Sequence, residues 1–297
     1  MAHVAICIPS YKPDFFEVAL ASALAQSYRD IEILVSDDCK TEAIKEICDF
    51  YPRVKYSRNP NPGGAYNLPR LVDLADAEYI KFLFDDDLLH PFCVQNLVEA
   101  MELTRSNGTT LAFSPRDYID ANSRFLSHAN LYGVKDEMKM LPGASFIGLT
   151  AMQHLNTVGE FTTTLFRKAD CYDSDGKFHL FHLDGAQCRG LTDLSAWIRL
   201  ASRGPLIVHP ATLSYFRQHS NSNSNASINK ELILAITDCE HIMRFAERHG
   251  YIVGDQVAYA YSRLALVYRH NAAVWPELEA RARQLDAEAL TKGAIAS

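Results

Sequence analysis

An α/β fold with a mostly parallel sheet is the class this sequence predicts, on three observations. The first 115 residues alternate short β-type runs with helix-period segments. Polar or acidic residues directly follow three of those runs. Beyond residue 228 the pattern turns helical and ends in an alanine-rich, charged tail. Alternation of this kind implies strands in parallel order with helices covering both faces.

The β-type runs are HVAICI (3–8), IEILV (31–35), VKY (54–56), YIKFLF (79–84) and TLAFS (110–114). Phe16, Leu20 and Leu24 mark the first intervening helix, and Ile44, Ile47, Cys48 and Tyr51 the second. Leu68, Leu71, Val72 and Ala75 mark the third, and Val94, Leu97, Val98 and Met101 the fourth. The last three segments follow i, i+3, i+4, i+7, so each presents one apolar face. Pro69 and Pro91 are read as lying near helix starts, where a missing N–H costs little. From 116 to about 215 the periodicity is irregular, apart from a helix expected at 191–203 around Trp197. QHSNSNSNAS (218–227) reads as a polar loop or linker, with helices expected over 228–249 and 255–270.

Composition narrows the function classes. The chain has 297 residues, 48% hydrophobic and 22% charged, enough to bury a substantial core. A net charge of −7 disfavours nucleic acid or an anionic membrane surface as partner. The seven cysteines include no C-x-x-C pair and sit mostly in apolar stretches, so they read as reduced, buried thiols. The first residues carry no basic leader, and their apolar run is too short for a signal peptide or membrane span. A cytoplasmic protein without a transmembrane segment is expected, and the glycosylation-like triplets at Asn107 and Asn225 carry no meaning there.

In parallel sheets ligands bind beyond the carboxyl ends of the strands. Those ends read PSYK, SDDCK and FDDDLL, and two of the three are acidic. Asp85, Asp86 and Asp87 stand side by side. Two unit charges about 6 Å apart repel by roughly 3 kcal/mol at an effective dielectric near 20. A solvated turn could carry them unaided, whereas a partly buried one would need a cation. The cluster follows the most apolar strand and is paired with a second acidic group, Asp37 and Asp38. This favours a site for a hard divalent cation, which prefers carboxylate oxygens and leaves positions open for phosphates. NPGGAYN (61–67) lacks both the G-x-G-x-x-G and the P-loop spacing. Its Gly63-Gly64 read as a turn before a helix.

The ordered motifs VAICIPSYKP, IEILVSDDCKTE, NPNPGGAYNLPRLVDLADAEYIKFLFDDDLLHP and LTDLSAWIRLASRG…YFRQHSNSNS resemble the family 2 glycosyltransferases, over residues 3 to 222. The resemblance implies a GT-A fold: a Rossmann-like, mostly parallel sheet flanked by helices, with a C-terminal helical extension. It implies a nucleotide-sugar-binding half over 1–115. Residues 116–227 would form an acceptor-binding half with catalytic base and closing loop, and 228–297 the extension, whose helices could pair two copies.

The resemblance also implies roles. Pro9 and Tyr11 match the segment that packs on the nucleotide base, and Asp38, with Asp37 as the alternative, the carboxylate that accepts from the base's imide N–H. A carboxylate there suits a uracil-type base and repels cytosine's bare acceptor. Phe84 stands where the D-x-D region often begins with Asp. Asp85 then falls at a ribose contact and Asp86 at the metal ligand, for Mn²⁺ or Mg²⁺ with the diphosphate supplying further oxygens. His219 is a further candidate for the metal or a phosphate, Arg217 a counter-charge, and Asn67 a donor-pocket residue. Asp193 stands at the catalytic base, preceded by Thr192 where relatives often have an acid. A cap at the start of the Trp197 helix is the structural alternative for Asp193.

The expected activity is a metal-dependent, inverting transfer of a sugar from a UDP- or dTDP-sugar to the hydroxyl or amine of a sugar-containing or small-molecule acceptor. Two alternatives stand beside it. An aspartyl-phosphate phosphatase would want its D-x-D on the first strand, not the fourth, and a nucleotide-sugar-binding protein would keep the fold without turnover.

Overall fold

The computed structural model describes residues 2–220 and 232–296. It divides into two compact units that interleave along the chain. One takes the residues up to Leu141, Val158–His179 and Gly204–Ser220. The other takes Pro142–Thr157, Leu180–Arg203 and the described residues beyond 231.

The first unit opens with β1 (Val4–Ser10), α1 (Phe16–Leu24), β2 (Ile31–Asp37), α2 (Ala43–Asp49), β3 (Val54–Arg58), α3 (Gly64–Leu74) and β4 (Tyr79–Phe82). It continues with β5 (Leu88–Leu89), α4 (Cys93–Leu103), β6 (Leu111–Phe113), β7 (Arg116–Ile119), β8 (Phe125–Ala129), β9 (Lys139–Leu141) and β10 (Thr164–Arg167). The second unit holds α5 (Gly143–Gln153), β11 (His182–Leu183), β12 (Ala186–Gln187), α6 (Thr192–Ala201), α7 (Leu232–Arg248), α8 (Asp255–Asn271) and α9 (Glu277–Ala296). Strands β13 (Leu206–Val208) and β14 (Ser214–Arg217) belong to the first.

Eight strands of the first unit form one sheet, in the order β3-β2-β1-β4-β10-β6-β13-β9. The first four run parallel, while β10 lies antiparallel to both β4 and β6. Val4 to Ile8 of β1 are wholly buried, with α1 and α3 packed against this strand. A strand without a solvent face needs an unbroken apolar run rather than alternation, and VAICI is one. Val94, Leu97, Val98 and Met101 of α4 are all buried, as their spacing predicts. Each such side chain contributes about 1.5–3 kcal/mol. Ser10 pairs with Asp37, and Cys7 with Phe82, so β1, β2 and β4 release their chains at one edge.

Two features differ from the sequence reading. Helix α3 begins at Gly64, which puts Pro69 inside it rather than near its start. There a proline removes a helical hydrogen bond, at a cost of about 3 kcal/mol or more in a helix interior. The turn expected at Gly63-Gly64 is made by Gly63 alone, at φ 135°, and Gly64 is already helical. Over 116–220 the irregular pattern resolves into short strands and two helices, α5 and the expected α6. A second sheet runs β5-β14-β7-β8, next to the acidic cluster in sequence.

Helices α7, α8 and α9 occupy the stretch expected to be a helical extension, and each buries one stripe. In α9 this is Leu278, Ala282, Leu285 and Ala289. Glu240 of α7 accepts from Arg281 of α9 and from Arg244, which also reaches Glu288. Burial pushes the Glu240 carboxyl up, but Arg281 and Arg244 outweigh it and hold it at about 2. A Cβ on Gly190 would lie 2.1 Å from the Ala235 nitrogen, so only glycine lets α7 pass the start of α6 this closely. All seven cysteines are free thiols, six of them buried. No helix among the described residues is long and apolar enough to cross a membrane.

Candidate active site

The three adjacent carboxylates meet three different environments. Asp85 is 4% exposed, and its Oδ2 accepts from the backbone N–H groups of Tyr11 at 2.8 Å and Lys12 at 3.0 Å. Burial pushes its carboxyl up to about 6, against the pull of those two amides. Asp87 is fully buried and accepts from the Thr162 hydroxyl at 2.6 Å and the Arg217 amide at 3.1 Å. Burial, with Asp86 alongside, holds the Asp87 carboxyl well above the usual range. Asp86 keeps a side chain 26% exposed, its Oδ2 3.1 Å from His219 Nε2. Asp86 is therefore the most exposed of the three, while both amides on Asp85 take its Oδ2. This arrangement sets Asp85 as a tether between the β1 and β4 ends, and it lacks the exposure an aspartyl-phosphate nucleophile would need.

Asp86 and His219, read from the sequence as candidate metal ligands, thus lie together. Ligands at about 2.1 Å on adjacent corners of an octahedron stand roughly 3 Å apart. One carboxylate oxygen and one imidazole nitrogen at 3.1 Å match that spacing, and the mixed O/N pair suits Mn²⁺ better than Mg²⁺. The rest of the expected closing loop, from 221 onward, falls outside the described residues, as does Asn225.

The acidic pair after β2 also divides its work. Asp37 is fully buried, accepting from the Tyr56 hydroxyl at 2.8 Å and the Cys39 amide at 2.6 Å, with Arg58 at 3.1 Å. Burial and then Asp37 push the Tyr56 hydroxyl upward. Asp38 is only partly buried; it accepts from Asn59 Nδ2 at 2.7 Å and the Gly63 amide at 3.0 Å. Of the two, Asp38 is the one a ligand can reach. Tyr11 is 41% exposed with Lys12 Nζ 4.6 Å above its ring, and Pro9 is partly buried on β1. Asn67 is 2% exposed and donates to the Ser36 carbonyl at 3.1 Å. Its side chain faces the sheet, rather than the open donor pocket expected from the sequence.

In the second unit, Asp193 is the second residue of α6, and its Oδ2 accepts from Asn156 Nδ2 at 2.8 Å. Its Oδ1 lies 2.7 Å from the Leu194 amide. The amides of Gly190 and Leu191, just before the helix, are taken instead by Asp238 of α7, at 2.6 and 2.9 Å. Asp238 thus shares the start of α6 with Asp193, which stands in the first turn as the structural alternative has it. Sequence reasoning missed Asn156 and Asp238. Asn156 gave no signal, lying 37 residues from its partner. Asp238 did give one, as a buried acid in the apolar stripe of Ile236, Cys239 and Ile242.

A mainly parallel sheet whose central strand ends converge on carboxylates, followed by helices, is the GT-A class of fold. The crystal structure of S. aureus TarS 1-349 in complex with UDP-GlcNAc is similar to it. The match has a TM-score of 0.56 and 14% identity, over 98% of this chain and 90% of that one. The chain belongs to glycosyl transferase family 2, whose model matches residues 5–182, and it is by that membership a glycosyltransferase. An uncharacterized glycosyltransferase of Rickettsia typhi is 24% identical over 291 residues, covering 86% of this chain and 84% of that protein. Another, from Rickettsia bellii, is 29% identical over 131 residues, which are 42% of this chain and 19% of the relative.

Proposed function

We propose that the protein transfers a sugar from a UDP- or dTDP-sugar to an acceptor hydroxyl or amine, with inversion at the anomeric carbon. The observation that carries this reading is the carboxyl edge of β1, β2 and β4. It presents Asp38 on one side and, on the other, Asp86 held 3.1 Å from His219. The UDP-GlcNAc complex of the S. aureus relative supports the same class of donor.

Each residue then has one task. Tyr11 and Pro9 pack on the base, and Asp38 accepts from its imide N–H. Asp85 meets the ribose, while Asp86 and His219 would hold Mn²⁺ or Mg²⁺, a cation that would supply positive charge to offset the leaving diphosphate. Asp193 takes the acceptor's proton as the acceptor atom bonds to the anomeric carbon. The bond from that carbon to the phosphate oxygen breaks, and its electron pair leaves with the diphosphate. A positioned base contributes about 10²–10⁴-fold. One displacement opposite the leaving group inverts the centre.

In this reading residues 1–115 serve the donor, 116–227 serve the acceptor, and the C-terminal helices form an extension whose outer faces can pair two copies. The seven free thiols support a reducing, cytoplasmic setting. Calorimetry with UDP and GDP, each with and without Mn²⁺, tests the donor side. Tighter binding of UDP, and a gain with Mn²⁺ that is lost in Asp86→Ala, is expected. Equal affinity for both nucleotides would remove the role given to Asp38.

A further inference from the structure

Arg217 ends β14 with its guanidinium almost wholly out of solvent, the residue being 1% exposed. Its Nε donates to the Asp86 carbonyl at 2.8 Å. Its Nη1 donates to the Asp120 carbonyl and to Ser123 Oγ, both at 2.9 Å. The backbone N–H of the same residue donates to Asp87 Oδ1 at 3.1 Å. The Arg217 side chain therefore holds the Asp86 backbone, and the Asp87 side chain holds the Arg217 backbone. This reciprocal pair of bonds locks the acidic turn to the end of β14. Phe15 completes the lock: its ring lies 4.6 Å from the guanidinium carbon and 5.1 Å from the His219 ring.

Burying a guanidinium costs several kcal/mol unless its donors are well matched. Here the planar fork serves acceptors on two separate segments, the acidic turn and the 120–123 loop, which a lysine's single ammonium cannot span. A cation placed to meet the donor diphosphate would need open access, whereas this one is enclosed by carbonyls and an aromatic ring.

We infer that Arg217 and Phe15 are positioning residues for the cation site proposed above, fixing where Asp86 and His219 stand without touching the donor. The inference rests on that cation reading. It adds a positioning role to the counter-charge expected of Arg217 from the sequence, which the neighbouring Asp87 and Asp86 support.

The test is calorimetry of UDP binding to the full chain, with and without Mn²⁺, for wild type, Arg217→Lys and Phe15→Leu. The readout is the factor by which Mn²⁺ tightens UDP. Metal-free affinity should stay within about threefold in both variants. The Mn²⁺ gain should shrink about tenfold or more in Arg217→Lys and severalfold in Phe15→Leu. If Arg217→Lys melts before it can be titrated, Phe15→Leu still decides, because it removes no buried charge. A full Mn²⁺ gain in the folded variants overturns the inference. So does an equal loss with and without metal in Arg217→Lys, which would mark a direct diphosphate contact. A wild type with no Mn²⁺ gain overturns the cation reading itself, and this inference with it.

Discussion

Asn156 Nδ2 lies 2.8 Å from Asp193 Oδ2, so the carboxylate assigned as base is held by an amide from outside its own helix. Asp238 takes the Gly190 and Leu191 amides before α6, while Asp193 Oδ1 takes the Leu194 amide, so a first-turn role stands beside the proposed base role.

Asp193→Asn keeps the shape of the side chain but cannot accept a proton at neutral pH. Transfer is expected to fall by about two to four orders of magnitude, with donor affinity changed only a few-fold. Single-turnover transfer beside calorimetry of the donor measures this. Near wild-type transfer would return Asp193 to a structural role.

Asn156→Ala leaves Asp193 Oδ2 without its held partner. We expect kcat to drop about tenfold with the donor KM unchanged, and stability to fall by about 1 kcal/mol. Steady-state kinetics and a urea titration check both. A change in donor KM alone would show that Asn156 does not act through Asp193.

Asp85 links pH to both binding and stability. Its carboxyl is raised from 3.8 to about 6 by burial, so folding favours the neutral form. Stability from this group is present below the unfolded value and is lost as pH rises through 6. At neutral pH the cost is about 3 kcal/mol at most. Asp85→Asn, which can still accept from Tyr11 and Lys12, should therefore raise Tm at pH 7 by a few degrees. It should also remove the part of the UDP affinity that grows between pH 5 and 7. Thermal melts and calorimetry across that range read the two effects. A lower Tm in the variant would contradict the assignment.

Asp37 and Asp38 should separate cleanly. Asp37→Ala strands the part-buried Tyr56 hydroxyl and the Cys39 amide, and is expected to cost about 1–3 kcal/mol. Asp38→Ala should leave Tm within a few degrees of wild type yet erode the preference for UDP over GDP. Melting curves and paired nucleotide titrations distinguish them. The reverse pattern would exchange their roles.

What could be read in the sequence follows from how each element is buried. Strand β1 announces itself as an unbroken apolar run, and β2 and β4 as apolar runs interrupted once each, by the buried Glu32 and Lys81. The acidic ends of β2 and β4 could be read as sharp polar breaks after such runs. Helix α5 could not, since its buried face includes Gly143 and Thr150 while the apolar Leu149 is exposed, so the two faces differ little in residue type. Nor could the second sheet, where β8 is exposed through Phe125–His128 and carries no clean alternation. Asp86 and His219 were legible one at a time, but the Arg217 lock between them depends on carbonyls of the 120–123 loop. Carbonyl contacts leave no mark on residue type.

The most direct measurement is nucleoside diphosphate release from a panel of nucleotide sugars in Mn²⁺, with and without a chelator. Release from a UDP- or dTDP-sugar, abolished by the chelator and by Asp86→Ala, is the predicted result. No release from any sugar nucleotide, or equal release from GDP- and UDP-sugars regardless of metal, would contradict it.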